Sequence, residues 1–274
     1  MAASPLRKKS PGLPKGMAGA EWQLRVDLAA AYQLVDLYGL TDLSSNHISV
    51  RMPGPQHHFL LNPLGVLYDQ ITASSLIKVD VDGRVLDGDP SQLNPAGFVI
   101  HSAIHMAQQE LICVLHTHTR ANNAIAALRK GLLPLNQKAL SIMASLRYHD
   151  YEGPSLENAE RERLVKNLGD GRIMCLRNHG ALTVGGSIAE AWVHMYRYEM
   201  ACRYQVDTLA CAGAGFKLQV LSKAIVQRSI ERAAQMLGPG KMMAAGATEW
   251  ASLIRKLERE RGTTYRGIRT GDAG

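Results

Sequence analysis

The chain has 274 residues, of which 46% are hydrophobic and 20% charged, a composition typical of a globular protein with one large domain. Its net charge of +7 is partly concentrated near the N-terminus, where four basic residues share a Pro- and Gly-rich stretch without any acid. The other charges mix signs, so the pattern favours a flexible basic tail over a nucleic-acid-binding surface. No apolar run reaches the roughly 18 residues of a membrane helix and no secretory signal is apparent, so we expect a cytoplasmic protein.

Three regions are predicted along the chain. Residues 1–19 read as a disordered basic tail, residues 20–236 as one α/β domain, and residues 237–274 as a C-terminal loop and helix that offer a contact to another subunit. The four cysteines are far apart and include no C-x-x-C pair, so no disulfide framework is expected.

Hydrophobic spacing predicts the elements in chain order. The predicted helices are 21–38, 96–109, 119–129, 155–168, 188–212, 221–236 and 248–260. The predicted strands are 47–52, 58–61, 77–81, 84–86, 111–115, 173–176 and 181–184. The early hairpins favour a mixed, largely antiparallel sheet with helices on both faces.

Histidines follow two of the apolar strands. His116 and His118 come after the run 111–115, and His179 follows the run 173–176 and precedes Gly180. Side chains two apart on a strand share a face, and a glycine permits a tight turn or a close backbone approach. If the two strand ends lie close together, three imidazoles converge, which predicts a divalent-metal site with an open position.

The order of these motifs resembles the class II aldolase/adducin family, and most closely the adducin head domain and its bacterial relatives. The similarity covers about residues 21–212 and includes the segments Asn46–Arg51, Phe59–Pro63, Ile71–Ser75, Asn94–Gly97 and Tyr148–Tyr151. It implies a three-layer α/β/α sandwich around a central, mainly antiparallel sheet. It also implies a metal held by His116, His118 and His179, with zinc as the first choice and Fe(II) or Mn as alternatives, and a homotetramer.

The sequence departs from the aldolases of this family at two places. Their catalytic acid corresponds in position to Gly97, which has no side chain, and Pro95 and Ala96 stand where they have serines. Leu64 stands at a phosphate-binding position, and a leucine cannot donate a hydrogen bond to phosphate. We therefore expect a small substrate that is not phosphorylated.

Three further residues are candidates for catalysis. His47 follows a polar turn and is the best substitute for the missing carboxylate. Tyr148 offers a proton donor near a strand end, and Asp150 offers a carboxylate that could orient a histidine.

Three others are candidates for substrate binding. Asn46 takes a position near the family's phosphate site, and Arg177 could bind a carboxylate with two hydrogen bonds. His101 lies one helical turn before His105 on the same face and could line the metal pocket.

Three functions are compatible with these residues. The first is a metal-dependent lyase that performs carbon–carbon cleavage, decarboxylation or epimerisation on a small carbonyl or carboxylate substrate. The second is a non-haem Fe(II) oxygenase that acts on an α-keto or hydroxy acid through the same histidines. The third is a non-catalytic binding or oligomerisation module similar to the adducin head.

Overall fold

The computed structural model describes residues 19–153, 158–236 and 248–267, together with Met17, Ala245 and Gly246. All of the predicted basic tail except Met17 and Gly19 lies outside these ranges, and Gly19 begins a helix. Most of the predicted loop after residue 236 also lies outside them, and so does Ser155, the expected start of one helix.

Eight strands of the described chain form a single sheet in the order β4-β3-β2-β1-β5-β8-β7-β6. The strands are β1 His47–Arg51, β2 Phe59–Leu61, β3 Ile77–Val79, β4 Val85–Asp87, β5 Cys113–Thr117, β6 Leu146–His149, β7 Ile173–Leu176 and β8 Gly180–Gly185. Every neighbouring pair is antiparallel except β6 with β7. The predicted, mainly antiparallel sheet is confirmed.

Helices cover both faces of the sheet. They are α1 Gly19–Leu37, α2 Pro95–Ala107, α3 Arg120–Ala126, α4 Gln137–Ile142, α5 Asn158–Leu168, α6 Ile188–Gly213, α7 Lys223–Met236 and α8 Trp250–Arg261. The sequence pattern did not predict α4, because six residues carry too little periodicity to distinguish a helix from a loop.

Side chains alternate between the two faces of the central strands, and each face packs against its own layer of helices. Ile48, Cys113 and Leu115 point into the larger core, where they meet α1, α3, α6 and α8. Val114 points to the opposite face and packs with Ile104 of α2 and with residues of α5. The structure is therefore the α/β/α sandwich that the resemblance implied.

The described C-terminal residues belong to the same body. Helix α8 packs against α1, and Leu257 and Tyr265 are buried in the larger core. Within the described ranges, no helix combines the length and the apolar character that crossing a membrane requires.

The hydroxyl of Tyr32 fixes the start of β1. Strand β2 ends at Leu61, and beyond it Ile48 and Asn62 face each other with this hydroxyl between them. The hydroxyl accepts hydrogen bonds from the backbone amides of Ile48, at 2.8 Å, and Asn62, at 3.1 Å. It also contacts the Ile48 carbonyl and Asn62 Oδ1. The fully buried Tyr32 thus continues the hydrogen bonding where the strand pairing stops.

We expect Tyr32→Phe to lower the free energy of unfolding by roughly 2–4 kcal/mol, because two buried amide groups lose their acceptor. Urea unfolding of metal-free protein measures the change. Tyr204→Phe removes a hydroxyl from an exposed tyrosine and should change stability by less than about 0.5 kcal/mol. Equal stability of the two variants would contradict the role assigned to Tyr32.

Candidate active site

The pairing of β1 with β5 places two histidines side by side. His47, the first residue of β1, lies directly opposite His116 near the end of β5, and their ring centroids are 4.9 Å apart. Both point to the face covered by α2, since their neighbours Ile48 and Leu115 point into the opposite core. The site is therefore built at one end of the central strands, between the sheet and α2.

The turn between β7 and β8 supplies the third histidine. Leu176 pairs with Gly180, so residues 177–179 form a tight turn in which Asn178 has a φ of +54°. A Cβ atom on Gly180 would lie 3.0 Å from Cδ2 of His118 and closer still to the Thr117 carbonyl. Glycine is needed here because the end of β5 passes directly over the turn, which confirms the predicted close approach.

The three predicted ligands converge. One nitrogen from each of His116, His118 and His179 lies within 4.8 Å of the others. Strand β5 ends at Thr117, one residue before His118, yet the alternation still brings His118 to the same side as His116.

Hydrogen bonds orient two of these rings for metal binding. His116 Nδ1 lies 2.9 Å from the carbonyl oxygen of Ala181, and His118 Nδ1 lies 3.1 Å from Oδ2 of Asp42. A carbonyl and a carboxylate only accept, so each Nδ1 carries the hydrogen and each Nε2 of a neutral ring holds a lone pair. The two Nε2 atoms face each other at 2.6 Å. A shared cation removes the repulsion between these lone pairs, so the donor set fits a divalent metal.

The surroundings keep His116 and His179 unprotonated, as metal ligands must be. Burial lowers the pKa of His116 well below its usual range, and the neighbouring His47, His118 and His179 lower it further. Burial, with His118 and His149 nearby, lowers the pKa of His179 to about 4.

The absence of a side chain at Gly97 makes room for His47. A Cβ atom on Gly97 would lie 2.7 Å from Cδ2 of His47 and 3.0 Å from its Nε2. The imidazole therefore fills the space beside the position where the family's aldolases carry an acid. His47 Nδ1 is 2.7 Å from Nε2 of His101, which holds the ring in place.

A cavity of about 510 Å³ opens over the three histidines. Its other described walls are His47, Ile100, Tyr151, Gly153 and a set of small polar residues, namely Asp42, Ser45, Asn94, Asn123 and Asn178. Neither lysine nor arginine is among the described residues that line it. The lining suits neutral oxygen-bearing groups better than a phosphate.

Three predicted residues, Tyr148, Asp150 and Arg177, lie to one side of this cavity. The hydroxyl of Tyr148 accepts a hydrogen bond from the amide of Leu132 at 3.1 Å. The guanidinium of Arg177 lies 4.2 Å from the centre of the Tyr148 ring and donates to the carbonyl of Leu128 at 2.7 Å. Arg177 and Asp150 border a small adjoining cleft that reaches His179.

The other two predicted substrate-binding residues are buried behind the cavity wall. The Oδ1 of Asn46 accepts from the amide of Asp42 at 2.6 Å and so shapes the loop before β1. His101 is 3% exposed and contacts His47 and Ser49, not the cavity itself.

Asp42 and Tyr151 are two of the site residues that the sequence analysis did not predict. Asp42 lies between α1 and β1, and its carboxylate reaches His118 across 76 positions of sequence. Tyr151, three residues after Tyr148, lines the cavity with its ring centroid 6.2 Å from that of His179. Only the tertiary structure shows that Tyr151 lines the cavity and Tyr148 does not, because the two tyrosines lie three residues apart in the same segment.

Residues 26–206 match the family described as "Class II Aldolase and Adducin N-terminal domain". The chain belongs to this family. A putative aldolase class 2 protein of Caulobacter vibrioides is 46% identical over 241 residues, which cover 88% of this chain and 91% of that protein. Alpha-adducin of Rattus norvegicus is 40% identical over 242 residues, 86% of this chain but 33% of the adducin.

A solved structure shows the same architecture. The L-fuculose 1-phosphate aldolase of Glaciozyma antarctica PI12 is similar with a TM-score of 0.75 at 26% identity, covering 94% of this chain and 97% of that one. These likenesses confirm the family and the fold. Class II aldolase family membership, with the histidine triad, supports a metal-dependent, aldolase-like lyase that uses a divalent ion and a small-molecule substrate.

We expect Asp42→Ala to weaken zinc binding roughly 10- to 100-fold, because His118 loses the acceptor that orients its ring. Chelator competition measures the affinity. Asp42→Asn keeps an acceptor oxygen and should lose less. Asp69→Ala removes an exposed carboxylate outside the cavity lining and serves as the control. Equal zinc affinity of the two alanine variants would show that Asp42 does not support the site.

We expect Gly97→Ala to displace the His47 ring and to lower the free energy of unfolding by roughly 1–3 kcal/mol, because the added methyl group overlaps the imidazole. A crystal structure and urea unfolding check both effects. Gly213→Ala, in α6, adds a methyl group with nothing within 4 Å and should not destabilise the protein. An unmoved His47 in Gly97→Ala would contradict the packing argument.

Proposed function

We propose that this protein is a zinc-dependent lyase that acts on a small, non-phosphorylated carbonyl or carboxylate substrate. The observation that carries the proposal is the pair of Nε2 lone pairs on His116 and His118, with His179 beside them, at the floor of an open cavity. When bound there, a divalent ion polarises a carbonyl oxygen and stabilises the negative charge of an enolate.

The cavity lining supports a substrate without phosphate. A phosphate is normally held by backbone amides, hydroxyls or cationic side chains. Here the described lining offers the amides of Asn94, Asn123 and Asn178 and the hydroxyl of Ser45, without any cation. Leu64 is 40% exposed and cannot contribute a hydrogen-bonding group.

His47 is our choice for the group that moves the proton. It lies against His116, lines the cavity and occupies the space that Gly97 leaves open. Tyr151 is a second group at the cavity wall that could donate a hydrogen bond to the substrate, in place of the more remote Tyr148. Asp150 and Arg177 border the adjoining cleft, where a substrate carboxylate could reach them.

We also propose a cytoplasmic homotetramer. Helix α7 has no buried residue, and Phe216 and Val220, on the segment before it, are 71% and 72% exposed, which supplies apolar surface for subunit contacts. Cys211 is an exposed free thiol, and such a group suits a reducing compartment.

The experiment compares turnover and metal content. We expect stoichiometric metal in protein purified without chelator, and anaerobic turnover of unphosphorylated hydroxycarbonyl or hydroxycarboxylate compounds by the zinc-loaded enzyme. His116→Ala should lose both. His47→Ala should keep the metal and lose about 10²- to 10⁴-fold in rate, the usual contribution of a general acid or base.

Two other outcomes would contradict the proposed lyase function, and each would indicate a different function. Oxygen uptake that requires Fe(II) would assign the oxygenase function. Protein without stoichiometric metal or turnover, in which His116→Ala leaves assembly intact, would assign an adducin-like binding role, the function suggested by the 40% identity to alpha-adducin.

A further inference from the structure

A continuous chain of hydrogen bonds runs behind the site, between β1 and α2. His47 Nδ1 lies 2.7 Å from His101 Nε2, and His101 Nδ1 lies 2.6 Å from Ser49 Oγ. Ser49 Oγ lies 2.7 Å from His105 Nε2, and His105 Nδ1 lies 3.0 Å from the carbonyl oxygen of Leu111. The chain thus begins at the cavity and ends on the protein backbone.

The backbone end sets the direction of every hydrogen bond. A carbonyl oxygen only accepts, so His105 donates from Nδ1 to Leu111 and, as a neutral ring, accepts at Nε2. The hydroxyl of Ser49 therefore gives its one hydrogen to His105 and accepts from His101 Nδ1. A neutral His101 then accepts at Nε2 from His47 Nδ1.

Burial keeps the rings of this chain neutral. His47, His101 and His105 are 6%, 3% and 0% exposed, and within the described residues no carboxylate hydrogen-bonds to any of them. Phe59 stacks on His105 with 4.8 Å between ring centroids, and Arg51 adds an unfavourable positive charge nearby. Burial lowers the pKa of His105 to about 3.

The other end of the chain opens into the cavity. His47 lines the cavity, and its Nε2 has no hydrogen-bond partner among the residues that the structure describes. Because Nδ1 of His47 carries a hydrogen and donates it to His101, the neutral ring has its lone pair on Nε2.

We propose that Ser49 and His105 are positioning residues that act through His101 to lock this tautomer, and that the His47 lone pair selects a substrate hydroxyl by accepting its hydrogen bond. The positioning role of Ser49 and His105 rests on the hydrogen-bond geometry and on the burial of the rings. The selection of a substrate hydroxyl rests on the proposed function and narrows its substrate class to compounds that carry a hydroxyl group beside the carbonyl or carboxylate. A phosphate or carboxylate oxygen cannot donate to this lone pair and is disfavoured next to it.

The chain holds His47 but does not conduct protons to solvent. It closes on the Leu111 carbonyl, which cannot pass a hydrogen onward, and His105 is fully buried. This distinguishes a positioning device from a proton relay.

The tautomer is measured directly by long-range ¹H–¹⁵N correlation spectra of protein labelled with ¹⁵N-histidine, first metal-free and then zinc-loaded. We expect the wild type to show a protonated Nδ1 and an unprotonated Nε2 at His47. Ser49→Ala should give a mixture of His47 tautomers, and Ser49→Thr, which keeps the hydroxyl, should restore the single form. Ser102→Ala removes a buried hydroxyl that bonds only within α2 and should change nothing.

The measurement remains decisive if Ser49→Ala does not fold, because a proton on Nε2 of His47 in the wild type overturns the proposal by itself. An unaltered tautomer in folded Ser49→Ala overturns the role of Ser49. The spectra are recorded without catalytic turnover, so their result on the His47 tautomer does not depend on whether the protein is a lyase.

Calorimetry of the zinc-loaded protein with lactate and with propionate tests whether His47 selects a substrate hydroxyl. The two anions differ by one hydroxyl group. We expect the ratio of the lactate affinity to the propionate affinity to fall roughly two- to tenfold in Ser49→Ala, as the loss of one hydrogen bond predicts. The ratio should be unchanged in Ser49→Thr and in Ser102→Ala. An unchanged ratio, or a His47 Nε2 signal that shifts to a metal-bound position when zinc is added, overturns the role in selecting the hydroxyl.

Discussion

The site depends on the antiparallel register between β1 and β5. His47 is opposite His116, and the same register continues through Ser49 opposite Val114. Because side chains alternate along a strand, a slip of one residue would turn His47 and Ser49 into the apolar core and Ile48 toward the cavity. The core contacts of Ile48, Cys113 and Leu115 therefore hold the histidines in their places as firmly as any polar contact does.

The layer between β1 and α2 breaks the usual rule that buried faces are apolar. His47, Ser49, His101 and His105 are all buried there, where a simpler fold would carry aliphatic residues. The arrangement is stable because the rings are neutral and because each polar side-chain atom of these four residues has a partner, apart from Nε2 of His47, which faces the cavity. Such local departures from pattern are expected at functional sites.

The missing side chain at Gly97 and the position of the buried His47 ring are physically linked. Loss of the side chain at Gly97 removes a carboxylate, and the same loss lets the His47 ring occupy the vacated space. Where the resemblance places an anionic group near the three histidines, this chain has the neutral ring of His47 beside His116. This difference is one reason for the proposal that the substrate of this lyase is not phosphorylated.

The sequence alone determined much of the secondary structure and pointed to the three candidate histidines. Hydrophobic periodicity predicts most of the helices and strands, and the spacing of His116 and His118 predicts that they share a face, because these signals are local and repeat with the period of each element. The sequence predicts that His179 joins them only if the two strand ends lie close together. The tertiary structure decided the rest. Asp42, Tyr151, Ser49 and the burial of His101 depend on contacts between segments distant in sequence, and no local pattern records which loop or helix will face a strand end. The direction of the hydrogen-bond chain is also decided by the fold, since β1 and α2 meet from distant parts of the sequence and the chain ends where His105 donates to the backbone carbonyl of Leu111.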